Sequence, residues 1–228
     1  MRHIAASLVI LLVFILPAQA IYAQPEEVTV GDTTLAVYLR LPQNASPNSG
    51  AAAPLVILMP GGSGEQALAR DLNNWLGEEL ALRGWAVAIP VSPNGRSFRG
   101  DNNALIPLLI DTLQQRQEIA QGPTLLAGIS NGGMSALEIA AAGLREYSGI
   151  LAVPALVPNN LDLTGLEGMP IYLRIGDQDE MGWAARLQET HAALEAAGAR
   201  VDADLVFMAQ HMFSMDWENL DPWLEALR

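Results

Sequence analysis

The sequence predicts an α/β protein, a mainly parallel β-sheet with helices on both faces, and three observations carry that expectation. From Val28 onward, short strand-like runs alternate with helical stretches of about 10–15 residues, the rhythm of βαβ units. Leu55-Val56-Ile57-Leu58-Met59 is continuously apolar rather than alternating, as in a strand buried on both faces of a parallel sheet. Finally, the glycine-rich and acidic segments directly follow strand-like runs, at the C-terminal strand ends where such sheets collect ligands.

Taken in order, the elements begin with Val28–Val30 and Leu35–Leu41 around the turn Gly31-Asp32, an antiparallel hairpin. Residues 42–54, rich in Pro, Asn, Ser, Gly and Ala, read as a surface loop. After the strand Leu55–Met59 and the turn Pro60-Gly61-Gly62-Ser63-Gly64, Leu68, Leu72, Trp75, Leu76 and Leu80 mark one helical face that stops at Gly84. Trp85–Val91 is a strand, and Leu105, Leu109, Leu113 and Ile119 line a helix. Thr124–Ile129 is a strand, followed by a helix carrying Met134, Leu137, Ala141 and Leu144. Gly149–Val153 and Ile171–Ile175 are strands, and Trp183, Leu187, His191 and Leu194 form a helical stripe. Val201–Met208 is the last strand, and Leu220, Trp223, Leu224 and Leu227 mark a closing helix. No insertion is long enough for a bulky lid, and residues 24–228 read as one domain.

Composition narrows the function. The 228 residues are 50% hydrophobic and 16% charged, which suits one large core. A formal charge of −13 argues against nucleic acid, because phosphate binding needs clustered cations. Arg2 and His3 precede the apolar run Ile4–Leu16, then Pro17 and Ala18-Gln19-Ala20. This pattern predicts a signal peptide within residues 1–23, cleaved after Ala20 or Ala23, rather than a lasting membrane anchor. Absence of cysteine excludes a disulfide framework, a thiolate metal site and a Cys nucleophile. Such an exported chain fits a bacterial periplasmic or secreted protein better than a disulfide-rich one.

Gly128-Ile129-Ser130-Asn131-Gly132 sits between an apolar strand and a helix, the context in which a tight turn lifts a serine hydroxyl above a sheet. G-x-S-x-G alone arises by chance in roughly one chain of this composition in ten, so the placement carries the weight. A serine nucleophile needs a base, and the base needs an orienting acid. Beyond the signal segment there are two histidines. His211 lies just past the last strand, where a loop can carry it over the sheet, whereas His191 shares a helical stripe with Trp183, Leu187 and Leu194 and reads as packed. The acid follows Ile175 in Gly176-Asp177-Gln178-Asp179-Glu180, with Asp179 preferred and Asp177 next. Oxyanion donors are expected from the Asn131 N–H and from the loop Pro60–Gly64.

The order Ser130, Asp179, His211 is that of the α/β-hydrolases, and residues 28–228 resemble a small member of that superfamily. Gly128-Ile129-Ser130-Asn131-Gly132-Gly133-Met134 is similar to the elbow of secreted polyhydroxybutyrate-depolymerase-like and feruloyl-esterase-like enzymes. The lidless size resembles the phospholipase/carboxylesterase and dienelactone-hydrolase groups. Gly176-x-x-Asp179 resembles the superfamily's acid loop, which selects Asp179, and Gly62 matches the oxyanion donor. Departures are Pro60-Gly61 where many relatives have His-Gly, and Gln210 where Gly commonly precedes the base. The resemblance implies an exported serine carboxylesterase acting on a small or polymeric ester, with no metal or cofactor. A peptidase on the same fold, or a non-catalytic binding protein, is the alternative. Met181, Trp183, Met212 and Phe213 read as an apolar pocket beside the acid and base, or as ordinary core.

Overall fold

In the computed structural model the described residues are 24–43, 45 and 52–228, so the expected signal peptide and most of the loop at 42–54 lie outside them. One eight-stranded sheet runs in the order β1-β2-β4-β3-β5-β6-β7-β8. β1 (Glu26–Val30) and β2 (Thr33–Arg40) form the expected hairpin, and β2 pairs antiparallel with β4 (Ala86–Pro90). All other neighbours are parallel: β3 (Leu55–Met59), β5 (Thr124–Gly128), β6 (Tyr147–Ala152), β7 (Pro170–Gly176) and β8 (Arg200–Val206).

Every residue of β3, β4 and β5 is buried. Their side chains alternate between two cores. Leu55, Ile57 and Met59 pack towards α3 (Leu105–Leu113), α4 (Asn131–Ala141) and α5 (Leu187–Ala196). Val56 and Leu58 face the opposite layer, made by α1 (Gln66–Leu72), a π-helical turn (Asn73–Gly77), α2 (Glu78–Leu82) and α6 (Trp217–Glu225). Each such aliphatic side chain contributes about 1.5–3 kcal/mol of burial, which is how a cysteine-free domain is held. No helix among the described residues is long and apolar enough to cross a membrane.

Four expectations need correction. Ile119 is not helical: α3 stops at Leu113 because the Gln114 side chain reaches the carbonyls of Ala120 and Gly122 and folds the chain back, leaving Ile119 bridged to Ala53. Leu144 lies past α4, exposed, because the chain leaves the helix at Gly143 with φ +63°. Trp183 begins a 3-10 turn, Trp183–Arg186, rather than α5 itself. β8 ends at Val206, two residues early, and Met208 turns the chain at φ +53°.

Candidate active site

The turn between β5 and α4 places Ser130 above the centre of the sheet. Its backbone sits at φ 55°, ψ −120°, a region that costs a non-glycine residue about 1–3 kcal/mol. The surroundings hold it there. Its N–H donates to the Pro154 carbonyl at 2.8 Å, and its carbonyl accepts from Met134 at 2.9 Å. The motif glycines are steric necessities: a Cβ on Gly132 would lie 2.1 Å from the Met59 carbonyl oxygen, and one on Gly128 would lie 2.3 Å from Gly132. The elbow can therefore form only where β3, β5 and α4 touch without side chains.

Beside it, the loop after β3 carries Gly62 at φ +56°. The Asn131 side chain donates from Nδ2 to the Gly62 carbonyl at 2.9 Å, tying this loop to the elbow. Neither the Gly62 nor the Asn131 backbone N–H is donated to another described residue. The second flank of the loop is fixed by Ser92, whose N–H donates to the Gly64 carbonyl at 2.8 Å. The sequence predicts only a backbone role for Asn131. Its side-chain tie depends on a loop 69 residues away and leaves no local signal.

The candidate acid and base, Asp179 and His211, come from adjacent strand ends. Asp179 Oδ2 accepts a 2.9 Å hydrogen bond from His211 Nδ1, with the carboxylate side chain fully buried and the imidazole nearly so. Because a carboxylate only accepts, this bond places the proton on Nδ1 and leaves Nε2 as the basic nitrogen. Asp179 Oδ1 accepts the Met181 N–H at 2.8 Å, which fixes the carboxylate plane. Asp177 does not reach the ring; its Oδ1 accepts the Ala209 N–H at 3.2 Å and tethers the base loop. Glu180 Oε2 accepts the His211 backbone N–H at 3.1 Å. Hydrogen bonds from its own N–H and from that of His211 hold the Glu180 carboxyl below the usual carboxylate range. Trp183 meets the imidazole edge-on, ring centroids 4.9 Å apart.

The two loops approach closely because Gly176 has no side chain: a Cβ there would lie 2.1 Å from the Gln210 carbonyl oxygen. His211 Nε2 is buried and has no hydrogen-bond partner, so the structure brings the acid and base together without joining Nε2 to Ser130 Oγ. Catalytic hydrogen bonds of this kind commonly tighten only with substrate bound. His191 is half-buried on α5, 3.4 Å from Glu195 on the same helix. Of the expected apolar pocket, Phe213 packs into the core beneath α6, whereas Met181 and Met212 stand exposed.

No family model matches the chain, and no curated protein matches it. Solved structures do. The chain is similar to a Bacillus cereus carboxylesterase at TM-score 0.65 and 18% identity, over 85% of this chain and 95% of that one. The fold is that of the α/β-hydrolases. A phospholipase/carboxylesterase from Dyadobacter fermentans DSM 18053 aligns at TM-score 0.58 and 21% identity, over 81% of this chain and 92% of that one. Dipeptidyl peptidase 4 from Porphyromonas gingivalis aligns at 0.65 and 13%, over 90% of this chain and 35% of that one. The α/β-hydrolase scaffold is thus shared with proteins of differing chemistry, and activity must be argued from the site.

Proposed function

We propose that this α/β-hydrolase is an exported serine hydrolase that cleaves carboxylic esters through an acyl-enzyme. The observation that carries the reading is the 2.9 Å bond between His211 Nδ1 and a buried Asp179, on the same end of the sheet as the strained Ser130 turn. His211 Nε2 takes the Ser130 Oγ proton as the oxygen attacks the ester carbonyl, and Asp179 stabilises the imidazolium. The N–H groups of Gly62 and Asn131 accommodate the oxyanion, a contribution of about 3–4 kcal/mol per donor to the barrier in comparable sites. The imidazolium then gives its proton to the leaving alcohol, and water repeats the sequence to release the acid.

Ser130→Ala is the test. It should abolish labelling by a fluorophosphonate probe and lower kcat for p-nitrophenyl acetate by about 10⁴-fold or more, with an unchanged melting temperature. Activity within tenfold of wild type removes Ser130 from the role. Amide hydrolysis is the second reading, favoured by the fold likeness to the Porphyromonas peptidase, and p-nitroanilides in the same assay separate the two. Export rests on residues 1–23, and an exported chain beginning at Ile21 or Gln24 by intact mass is the expected result.

A further inference from the structure

Nine large apolar side chains stand exposed among the described residues, and five of them, Met181, Leu205, Phe207, Met208 and Met212, belong to the end of β8 and the two loops that carry Asp179 and His211. Phe207 is 82% exposed and Met208 68%. None of the five belongs to either core cluster, so core packing does not explain these apolar side chains on an acidic domain. Four of the five are tied by chain or hydrogen bond to the Asp179–His211 pair. Met181 donates its N–H to Asp179, Met212 follows His211, and Phe207-Met208 lead from β8 into the base loop. Met208 holds φ +53°, a conformation that strains a non-glycine residue.

A second copy of the chain adding to the β8 edge is disfavoured by that edge itself. The outward Leu205 N–H is already taken by Asp204 Oδ1 at 2.8 Å, and Asp202 and Asp204 would meet like charges across a two-fold axis. What the patch adjoins is the candidate site. β5, which presents Ser130, and β8 are three strand spacings apart, or about 14 Å. An extended aliphatic chain, with C–C bonds of about 1.5 Å advancing about 1.25 Å per carbon, crosses that distance with about a dozen carbons.

We infer that the site, read as an ester hydrolase, takes esters of long aliphatic chains, whose tail lies along an open shelf made by Met212, Met208 and Phe207. Methionine suits such a shelf because its unbranched thioether adapts to a chain of no fixed shape. A methylene fully buried is worth about fourfold in binding; one lying on a shelf with its other side in water is worth about twofold.

The experiment is a series of p-nitrophenyl esters from acetate to dodecanoate, below their aggregation limits, with wild type, Ser130→Ala and the double variant Phe207→Ser/Met212→Ser. kcat/KM of wild type should rise about a thousandfold from the two-carbon to the twelve-carbon ester, about ten methylenes at about twofold each, and the double variant should flatten that rise to about tenfold or less. A wild-type profile that peaks at two to four carbons and depends on Ser130 overturns the shelf and leaves the ester reading standing. If no ester is cleaved, the ester reading fails, and the shelf is decided by titrating Ser130→Ala with decan-1-ol. Saturable binding lost in the double variant supports the shelf; no binding overturns it. A dimer in sedimentation that Phe207→Ser dissociates assigns the patch to a second copy and also overturns it.

Discussion

Gly176→Ala is the change that most directly tests how the acid and base are held together. The new methyl would lie 2.1 Å from the Gln210 carbonyl oxygen and 2.3 Å from that of Ala209, both backbone atoms, where real Cβ contacts essentially never fall below 3.0 Å. The base loop must therefore retreat by about 1 Å, stretching the 2.9 Å His211–Asp179 bond beyond hydrogen-bond range. Overpacking of this kind costs about 1–3 kcal/mol, or roughly 2–12 °C in melting temperature for a domain of this size. A 1 Å displacement at the chemistry costs about 10²-fold in rate. Gly149→Ala on β6 is the control. Its methyl meets Leu227 Cδ1 at 3.0 Å and the Pro170 carbonyl at 3.1 Å, so it should lower stability without touching kcat. Steady-state hydrolysis of p-nitrophenyl acetate and differential scanning fluorimetry give both quantities. If Gly176→Ala melts earlier yet keeps wild-type kcat, the close packing of the two loops does not set the base, and the reasoning is refuted.

Three further outcomes are expected. Asp179→Asn should lower kcat by about 10⁴-fold by presenting the wrong tautomer, whereas Asp177→Asn, which only loosens the tether to Ala209, should cost tenfold or less by an order-of-magnitude argument; the reverse ranking in the same assay reassigns the acid. His211→Ala should cost about 10³-fold or more in kcat/KM, while His191→Ala, half-buried beside Glu195, should keep activity and cost less than about 1 kcal/mol in urea unfolding. The Glu180 carboxyl is held below its ordinary value of 4.5, so its support of the His211 backbone is complete above that pH and is lost as pH falls through the lowered value. Glu180→Gln should accordingly remove a low-pH step in wild-type stability, measured by melting temperature between pH 3 and 6, and an unchanged step excludes Glu180 as its source.

Much of this molecule is legible locally. The strand–turn–helix signature around Ser130 is written in consecutive residues, and the glycines at 128 and 132 reflect contacts too close for any side chain. The strand runs are legible because burial on both faces demands unbroken apolar sequence. Helix ends were harder to read. Ile119 and Leu144 continue an apolar spacing beyond the point where Gln114 and Gly143 end their helices, and spacing carries no information about a side chain folding back on a later carbonyl. Likewise Met181, Met212 and Phe213 are all apolar, yet Phe213 packs against the core while the two methionines stand exposed.

By itself, the sequence determined the layered α/β architecture, the order of serine, acid and histidine along the chain, and the candidate nucleophile, since each is written in short-range pattern. Beyond the preference for Asp179 that the resemblance gives, only the tertiary structure decided how the acidic turn is divided. Asp177 binds the base loop, Asp179 the imidazole and Glu180 the His211 backbone, and that assignment follows from β7 and β8 lying side by side with Gly176 against the Gln210 carbonyl. Three neighbouring carboxylates are chemically alike in sequence. Only the direction in which a turn points each one, set by pairing between strands some thirty residues apart, makes them different.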